Sequence, residues 1–293
     1  MLLGAAGRIS EDLLGIREFD LQEAAREGFT VLNVIVSNPS KVTEYDVWKL
    51  KQRFEAAKLL IGQTNGRYGG VLVSHNEEQR SAGIDFVKRM CGLTAILGAP
   101  NTYLRPGSLN PRGAWFPHKM NRSPEVFDRL VDSTKKICRT AEDEGVKVAV
   151  EGGIVSPLYS AKRVRDFIDA VGSNTLGFNQ DPVNFVSSLE DVYDMESFLK
   201  PFFSLLGDVT LGAHAKDFRV VDNLLIQLEE ADIGSGMMDH GLFLREMQNV
   251  CPSGHVLIEH IPPAEFSKAI KNFKTFSDRA GIIWGQPTQL VDR

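Results

Sequence analysis

A basic surplus is missing from this chain. Its 33 lysines and arginines are outnumbered by 38 aspartates and glutamates, a formal net charge of −5. A protein that grips a nucleic-acid backbone normally carries a basic face, so no nucleic-acid partner is expected. Small neutral or anionic ligands remain open, because a bound cation can reverse the local field. Cysteine is scarce: Cys91, Cys138 and Cys251 are three, far apart and without a CxxC pair. That excludes a zinc ribbon and a disulfide framework and fits a reducing compartment. No apolar run approaches the roughly 18 residues of a membrane span. The opening MLLGAAGRISEDLLG lacks the basic start and long apolar core of a secretory signal. A soluble, cytoplasmic protein with no membrane partner is therefore expected. Gly234-Ser235-Gly236 is too short for a phosphate loop and lacks the Lys-Ser or Lys-Thr that would follow one, which leaves it to shape a loop.

The composition that remains, 43% hydrophobic and 24% charged over 293 residues, is that of an ordinary globular protein. Strand and helix signals alternate along it. Val31–Ser37 is β-branched and apolar, as a buried parallel strand requires. Thr43 can cap the helix that follows, where Trp48, Phe54 and Ala57 keep helical spacing across Tyr45–Lys58. Glu77–Leu97 reads as a helix stopped by Gly98, and Ser123–Glu144 as one capped by Ser123, with Pro124 in its first turn and Gly145 as its stop. Further helices are expected near Ala161–Val171, Met195–Leu206, Leu242–Val250 and Pro263–Ala280. Strands are expected near residues 2–6, 31–37, 58–63, 101–105, 146–151, 176–181, 209–214 and 255–259. Strands separated by helices of this length call for a parallel sheet. Eight of them predict a closed (β/α)8 TIM barrel rather than an open doubly wound sheet. No composition break or linker divides the chain, so residues 1–293 are expected to form a single domain.

Four of those strands end alike. Val148-Ala149-Val150-Glu151, Phe178-Asn179-Gln180-Asp181, Leu211-Gly212-Ala213-His214 and Val256-Leu257-Ile258-Glu259 each close a mostly apolar run on a side chain that can bind a metal. A parallel barrel gathers the C-terminal ends of its strands around one mouth, where active sites of such barrels lie. Glu151, Asp181, His214 and Glu259 together make an oxygen-rich pocket with one imidazole, suited to a divalent cation. Singly, each has a plain alternative as a loop-start or structural residue; their recurrence at consecutive strand ends favours the metal.

The order VAVEG, DPVN, GAHAKD and LIEH resembles the xylose isomerase-like TIM barrel superfamily of sugar phosphate isomerases and epimerases. The likeness runs through about residues 75–285 and includes the helix end Glu142–Gly145, the Ala170-Val171-Gly172 step and the Gly234-Ser235-Gly236 loop. The resemblance implies that Glu151, Asp181, His214 and Glu259 hold one divalent metal: manganese first, with magnesium or cobalt as alternatives. It also implies proton abstraction next to a metal-bound carbonyl of a ketose or keto-polyol, through an enediolate, with Glu151 and Glu259 as the two catalytic carboxylates on opposite faces of the sugar. Lyases of the same superfamily are the alternative: an inosose-type dehydratase, or the barrel subunit of a C-glycoside deglycosidase that acts on 3-keto sugars beside a small second subunit. A homo-oligomer is also compatible with the resemblance. The barrel of apurinic endonucleases is related, but Asn184 stands where their Asp-x-x-His pair would supply a histidine. A barrel that only binds a ligand is the non-enzymatic alternative, and the four intact ligands oppose it.

Other residues near the expected mouth are candidates of a second rank. His118, in Trp115-Phe116-Pro117-His118, resembles a loop histidine of part of the family and is a candidate substrate contact or general base, of most use to a lyase. Asp217 can orient His214 from behind or form a loop salt bridge, and Lys216 belongs to the same His-Ala-Lys-Asp segment. Arg105 and Arg219 can clamp a phosphate or carboxylate or lie solvated. Trp115 and Phe116 can face a sugar, though core packing is the plainer reading. His75, His240 and His255 read as structural. If the strand pleat continues, His260 points away from Glu259.

Overall fold

The structure, a computed structural model, describes residues 1–286; residues 287–293 of the expected 1–293 unit lie outside the described residues. In chain order the elements are β1 (Leu2–Ala5), α1 (Glu18–Glu27), β2 (Val31–Val36), α2 (Glu44–Ala56), β3 (Leu60–Gly66), α3 (Glu77–Leu97), β4 (Asn101–Leu104), α4 (Pro124–Glu144), β5 (Lys147–Val150) and α5 (Ala161–Val171). They continue as β6 (Leu176–Gln180), α6 (Leu189–Tyr193), α7 (Met195–Leu206), β7 (Thr210–Ala215), β8 (Asp217–Val221), β9 (Gln227–Ala231), α8 (His240–Val250), β10 (His255–Ile258) and α9 (Phe266–Arg279). Eight strands close a parallel barrel in the order β1-β10-β7-β6-β5-β4-β3-β2, and β8 and β9 pair separately as an antiparallel hairpin. All eight expected barrel strands are present.

Local chemistry sets the element ends. The Thr43 hydroxyl accepts from the Asp46 N–H while the Asp46 carboxylate accepts from the Thr43 N–H, a capping box that starts α2. Ser123 caps α4 with Pro124 behind it, and α3 and α4 stop at Gly98 and Gly145 in the left-handed region, φ 74° and 68°. Apolar faces of the helices meet the outer faces of the strands in one continuous core that includes Phe167, Phe178, Phe243 and Phe273. Three elements were not anticipated from the sequence: α1, the short α6 and the hairpin. Helix α1 has no side-chain cap at Arg17, so its start carries no strong signal. The hairpin is inserted directly after β7, where one would expect a loop. Among the described residues no helix is long and apolar enough to cross a membrane.

The floor of the barrel holds an ionisable group. His255, at the start of β10, is 3% exposed, and its Nε2 is buried without a hydrogen-bond partner. Burial, with a contribution from the charge on His214, pushes its pKa down to about 3. The fold therefore takes His255 neutral, while the unfolded chain protonates it near 6.5. Stability from this residue is fully present above pH 6.5 and is lost as the pH falls from there towards 3. At pH 4.5, two units down, the loss is about 3 kcal/mol. Urea unfolding of His255→Leu at pH 7 and 4.5 should show a fall in stability smaller than that of the unaltered protein by this order; equal falls would refute the assignment.

Candidate metal centre at the barrel mouth

Glu151 directly follows β5, Asp181 follows β6, His214 lies in β7, and Glu259 follows β10. Neighbouring register places these strand ends side by side: Val150 pairs with Phe178, Gln180 with Ala213 and His214 with Leu257. One donor atom each from Glu151, Asp181 and His214 falls within 4.8 Å of the others, and all three are buried. Glu259 joins them, with Oε2 at 3.1 Å from His214 Nδ1; Glu151 Oε2 is 3.0 Å from the same nitrogen. All four expected ligands are thus brought to one point.

A chain of buried amides gives this cluster a fixed polarity. The carboxylate of Glu151 can only accept, and Asn179 Nδ2 donates to its Oε2 at 3.0 Å. That turns Asn179 Oδ1 towards Gln63, whose Nε2 donates to it at 3.3 Å and to Asn101 Oδ1 at 3.1 Å. Gln63 Oε1 then faces His214 Nε2 at 3.0 Å, so that nitrogen carries the proton. In the neutral imidazole that a metal would require, the lone pair is then on Nδ1, between two carboxylates. Tyr103 stacks on the imidazole at 5.7 Å and donates its hydroxyl to Glu151 Oε1 at 3.1 Å. On the other side Asn184 Nδ2 donates to Glu151 Oε1 at 2.8 Å and to Asp181 Oδ2 at 2.9 Å. Lys216 Nζ reaches Asp181 Oδ2, Glu259 Oε1 and Asn184 Oδ1, each at 2.8 Å.

These residues fit a divalent cation. Asp181 Oδ1 and His214 Nδ1 are buried without an aligned hydrogen bond, the two atoms a metal would use. Three carboxylates and one imidazole form an oxygen-dominated set with one nitrogen, appropriate to manganese or magnesium. The electrostatics ask for positive charge. Burial lifts the Asp181 carboxyl to about 7, with Lys216 opposing and Glu151 and Glu259 adding to the rise. Burial opposes charge on His214, yet Glu259 and Glu151 raise it to about 10. Against burial, His214 and Lys216 hold Glu259 well below the usual carboxylate range.

A cavity of about 360 Å³ opens above the cluster, lined by Glu151, His214 and Glu259 and also by Tyr103, Arg105 and Trp115. A larger cavity, about 850 Å³, is lined by Tyr68, His75, Phe86 and Leu109 among others and by none of the four ligands. Several second-rank expectations change. His118 does not line the site cavity: it starts a 3-10 turn, with Nδ1 accepting from the Met120 N–H at 3.3 Å. Asp217 does not orient His214, a task that falls to Gln63. It accepts instead from the Gly234, Gly236 and Met238 N–H groups and so holds the loop after the hairpin. That gives the Gly234-Ser235-Gly236 segment its loop-shaping place, since a Cβ at Gly236 would lie 2.1 Å from the Asp217 carboxylate. Arg219 is exposed and pairs with Glu229 across the hairpin. His260 does reach the mouth, because a left-handed φ of 57° breaks the strand pleat. Its Nδ1 lies 2.8 Å from Glu230 Oε1 of the hairpin. Trp115 lines the cavity, whereas Phe116 lies under Arg112, 4.3 Å from ring centroid to guanidinium. Gln63, Asn101 and Asn179 were not singled out in the sequence; polar side chains inside otherwise apolar strand runs were the available signal.

The family model described as a xylose isomerase-like TIM barrel matches residues 21–276. No curated protein matches the chain in sequence. Solved structures match over nearly the whole length. D-psicose 3-epimerase in the presence of D-fructose shares 14% identity at a TM-score of 0.73, covering 96% of this chain and 99% of that one. A xylose isomerase-like TIM barrel protein from Mycobacterium smegmatis in complex with magnesium shares 12% at 0.73, covering 95% and 96%. A 3-keto-D-glucoside 4-epimerase from E. coli, in its apo form, shares 16% at 0.68, covering 94% and 99%. At these identities the likeness is one of fold.

Proposed function

The chain belongs to the xylose isomerase-like TIM barrel family, and we propose that it is a divalent-metal-dependent isomerase or epimerase of a keto sugar. The observation that carries this reading is the convergence of Glu151 and Glu259 on His214 Nδ1, at 3.0 and 3.1 Å, from strands on either side of it. Glu151, Asp181, His214 and Glu259 would hold the metal, manganese or magnesium. When bound, the metal supplies Lewis-acid polarisation of the substrate carbonyl, which makes the neighbouring C–H more acidic. The chain's own residues do the proton work. Glu151, fixed by Tyr103, Asn179 and Asn184, and Glu259, fixed by Lys216, present two carboxylates to a sugar between them. One removes the proton beside the carbonyl and the other returns a proton, on the opposite face for epimerisation. Trp115 offers an apolar wall, and the buried setting excludes bulk water from the carbanionic carbon. The epimerase and isomerase names among the structural neighbours support this class of reaction. The lyase alternatives would make use of an acid or base beyond the two glutamates, and the loop histidine His118 does not line the cavity.

The test is incubation of the manganese-loaded protein in D2O with ketoses, inososes and 3-keto glycosides, read by mass spectrometry. A gain of one deuterium without loss of water or aglycone is expected, and chelation of the metal should abolish it. Loss of water or aglycone would make the protein a lyase of the same family. No exchange with any compound would refute the reading.

A further inference from the structure

Four cationic or potentially cationic side chains line the site cavity: Arg105, His214, Lys216 and His260. Three of them are committed. Lys216 has three donors, and Asp181, Glu259 and Asn184 take all three. His214 lies between Gln63 and the two glutamates, and His260 pairs with Glu230. Arg105 differs. Among the described residues its guanidinium forms no ion pair with a carboxylate, and its Nε is buried without a hydrogen-bond partner. It is held from below instead, over the rings of Tyr103 and Tyr68 at 5.5 and 5.9 Å from their centroids. Tyr68 fixes its backbone twice: the hydroxyl accepts from the Arg105 N–H at 2.5 Å and donates to the Arg105 carbonyl at 2.7 Å.

Arg105 is half-buried with its Nε out of water, and a cation left there without a carboxylate in ion-pair range is tolerated where a ligand supplies the anion. Position adds to this. Tyr103 carries Arg105 on its ring and hydrogen-bonds Glu151 through its hydroxyl, so a cation with no carboxylate in ion-pair range stands one aromatic ring from a carboxylate of the cluster whose charge it already feels. The guanidinium fork matches carboxylate and phosphate geometry. We propose that Arg105 receives an anionic group of the substrate, so that the keto sugar this site takes carries a carboxylate or a phosphate a few carbons from its carbonyl. The substrate class rests on the reading of the site given above; the anion-binding role of Arg105 does not.

The experiment compares one ketose skeleton in three forms, D-fructose, D-fructuronate and D-fructose 6-phosphate, with the manganese-loaded protein and with Arg105→Met. Binding is measured by calorimetry and proton exchange by deuterium uptake. At least one anion should bind tenfold or more tighter than fructose, the preference should weaken with added salt, and Arg105→Met should bring the ratio close to one. Whichever of fructuronate and fructose 6-phosphate carries the preference identifies carboxylate or phosphate as the natural group. A merely structural role for Arg105 would weaken all three alike and leave their ratio unchanged. That result, or no preference for either anion in the unaltered protein, overturns the proposal. Exchange without anion preference would sink this inference and leave the isomerase reading standing; Arg105-dependent anion binding without exchange on any compound would do the reverse.

Discussion

Glu259→Gln and Glu151→Gln should each lower deuterium exchange beside the substrate carbonyl by about 10³-fold, the scale of a positioned general acid or base. The amide keeps one oxygen that can face the cluster but cannot take a proton at neutral pH. The loss therefore falls on turnover even where metal remains bound. Metal content, read by elemental analysis on the same preparations, separates the two roles: a variant that retains metal and loses exchange has lost its base. The surroundings predict a difference between the two. Glu151 accepts hydrogen bonds from Tyr103, Asn179 and Asn184, so Glu151→Gln turns an amide N–H towards at least one donor and disturbs the network that sets His214. Glu259 is anchored by the Lys216 ammonium at 2.8 Å and touches His214, but it takes no hydrogen bond from the Asn179 and Asn184 amides that hold Glu151. Glu259→Gln should be the cleaner loss of catalysis, and Glu151→Gln should lose metal affinity as well. His118→Ala should stay within a few-fold of the unaltered protein, because the imidazole caps a turn outside the cavity. Full exchange and full metal content in Glu259→Gln would remove it from the site.

The parts of this protein that were legible in its sequence are those whose signal is local. Thr43, Ser123, Gly98 and Gly145 mark helix ends through bonds made within a few residues. Glu151, Asp181, His214 and Glu259 stand out because each ends an apolar run, and a barrel turns four separate strand ends into one ring. What the sequence withheld is set by distance or by backbone angle. The contact of Gln63 with His214 joins residues 151 positions apart, and its contact with Asn179 spans 116. Each amide alone is only a polar residue in a strand. His260 was expected to point away on the strength of a regular pleat, which its left-handed φ breaks. Asp217, next to Lys216 and close to His214, looked like a histidine partner; its own strand, β8, aims it instead at the amides of residues 234 to 238.

Gln63→Leu is the change that tests whether the barrel interior fixes the metal centre. Gln63 is fully buried and holds three groups at once: the His214 Nε2–H through its oxygen, and the Asn101 and Asn179 oxygens through its nitrogen. Leucine fills a similar volume and satisfies none of them. A buried polar group left without its partner costs about 1–3 kcal/mol, and the three share one network, so the expected loss is roughly 3–5 kcal/mol rather than a simple sum. That is a large part of the ordinary 5–15 kcal/mol of a folded domain. The second effect falls on the metal. With no acceptor behind Nε2, the His214 proton is free to move to Nδ1, the nitrogen between the two glutamates, and metal affinity should fall 10- to 100-fold. Gln63→Glu separates the two effects. A carboxylate still accepts from His214 Nε2 but cannot donate to Asn101 or Asn179. It should lose stability as the leucine variant does and keep more of the metal affinity. Urea unfolding and competition with a metal-chelating dye read the two quantities independently. If Gln63→Leu unfolds within 1 kcal/mol of the unaltered protein and binds metal equally well, the amides behind His214 do not fix it for the metal.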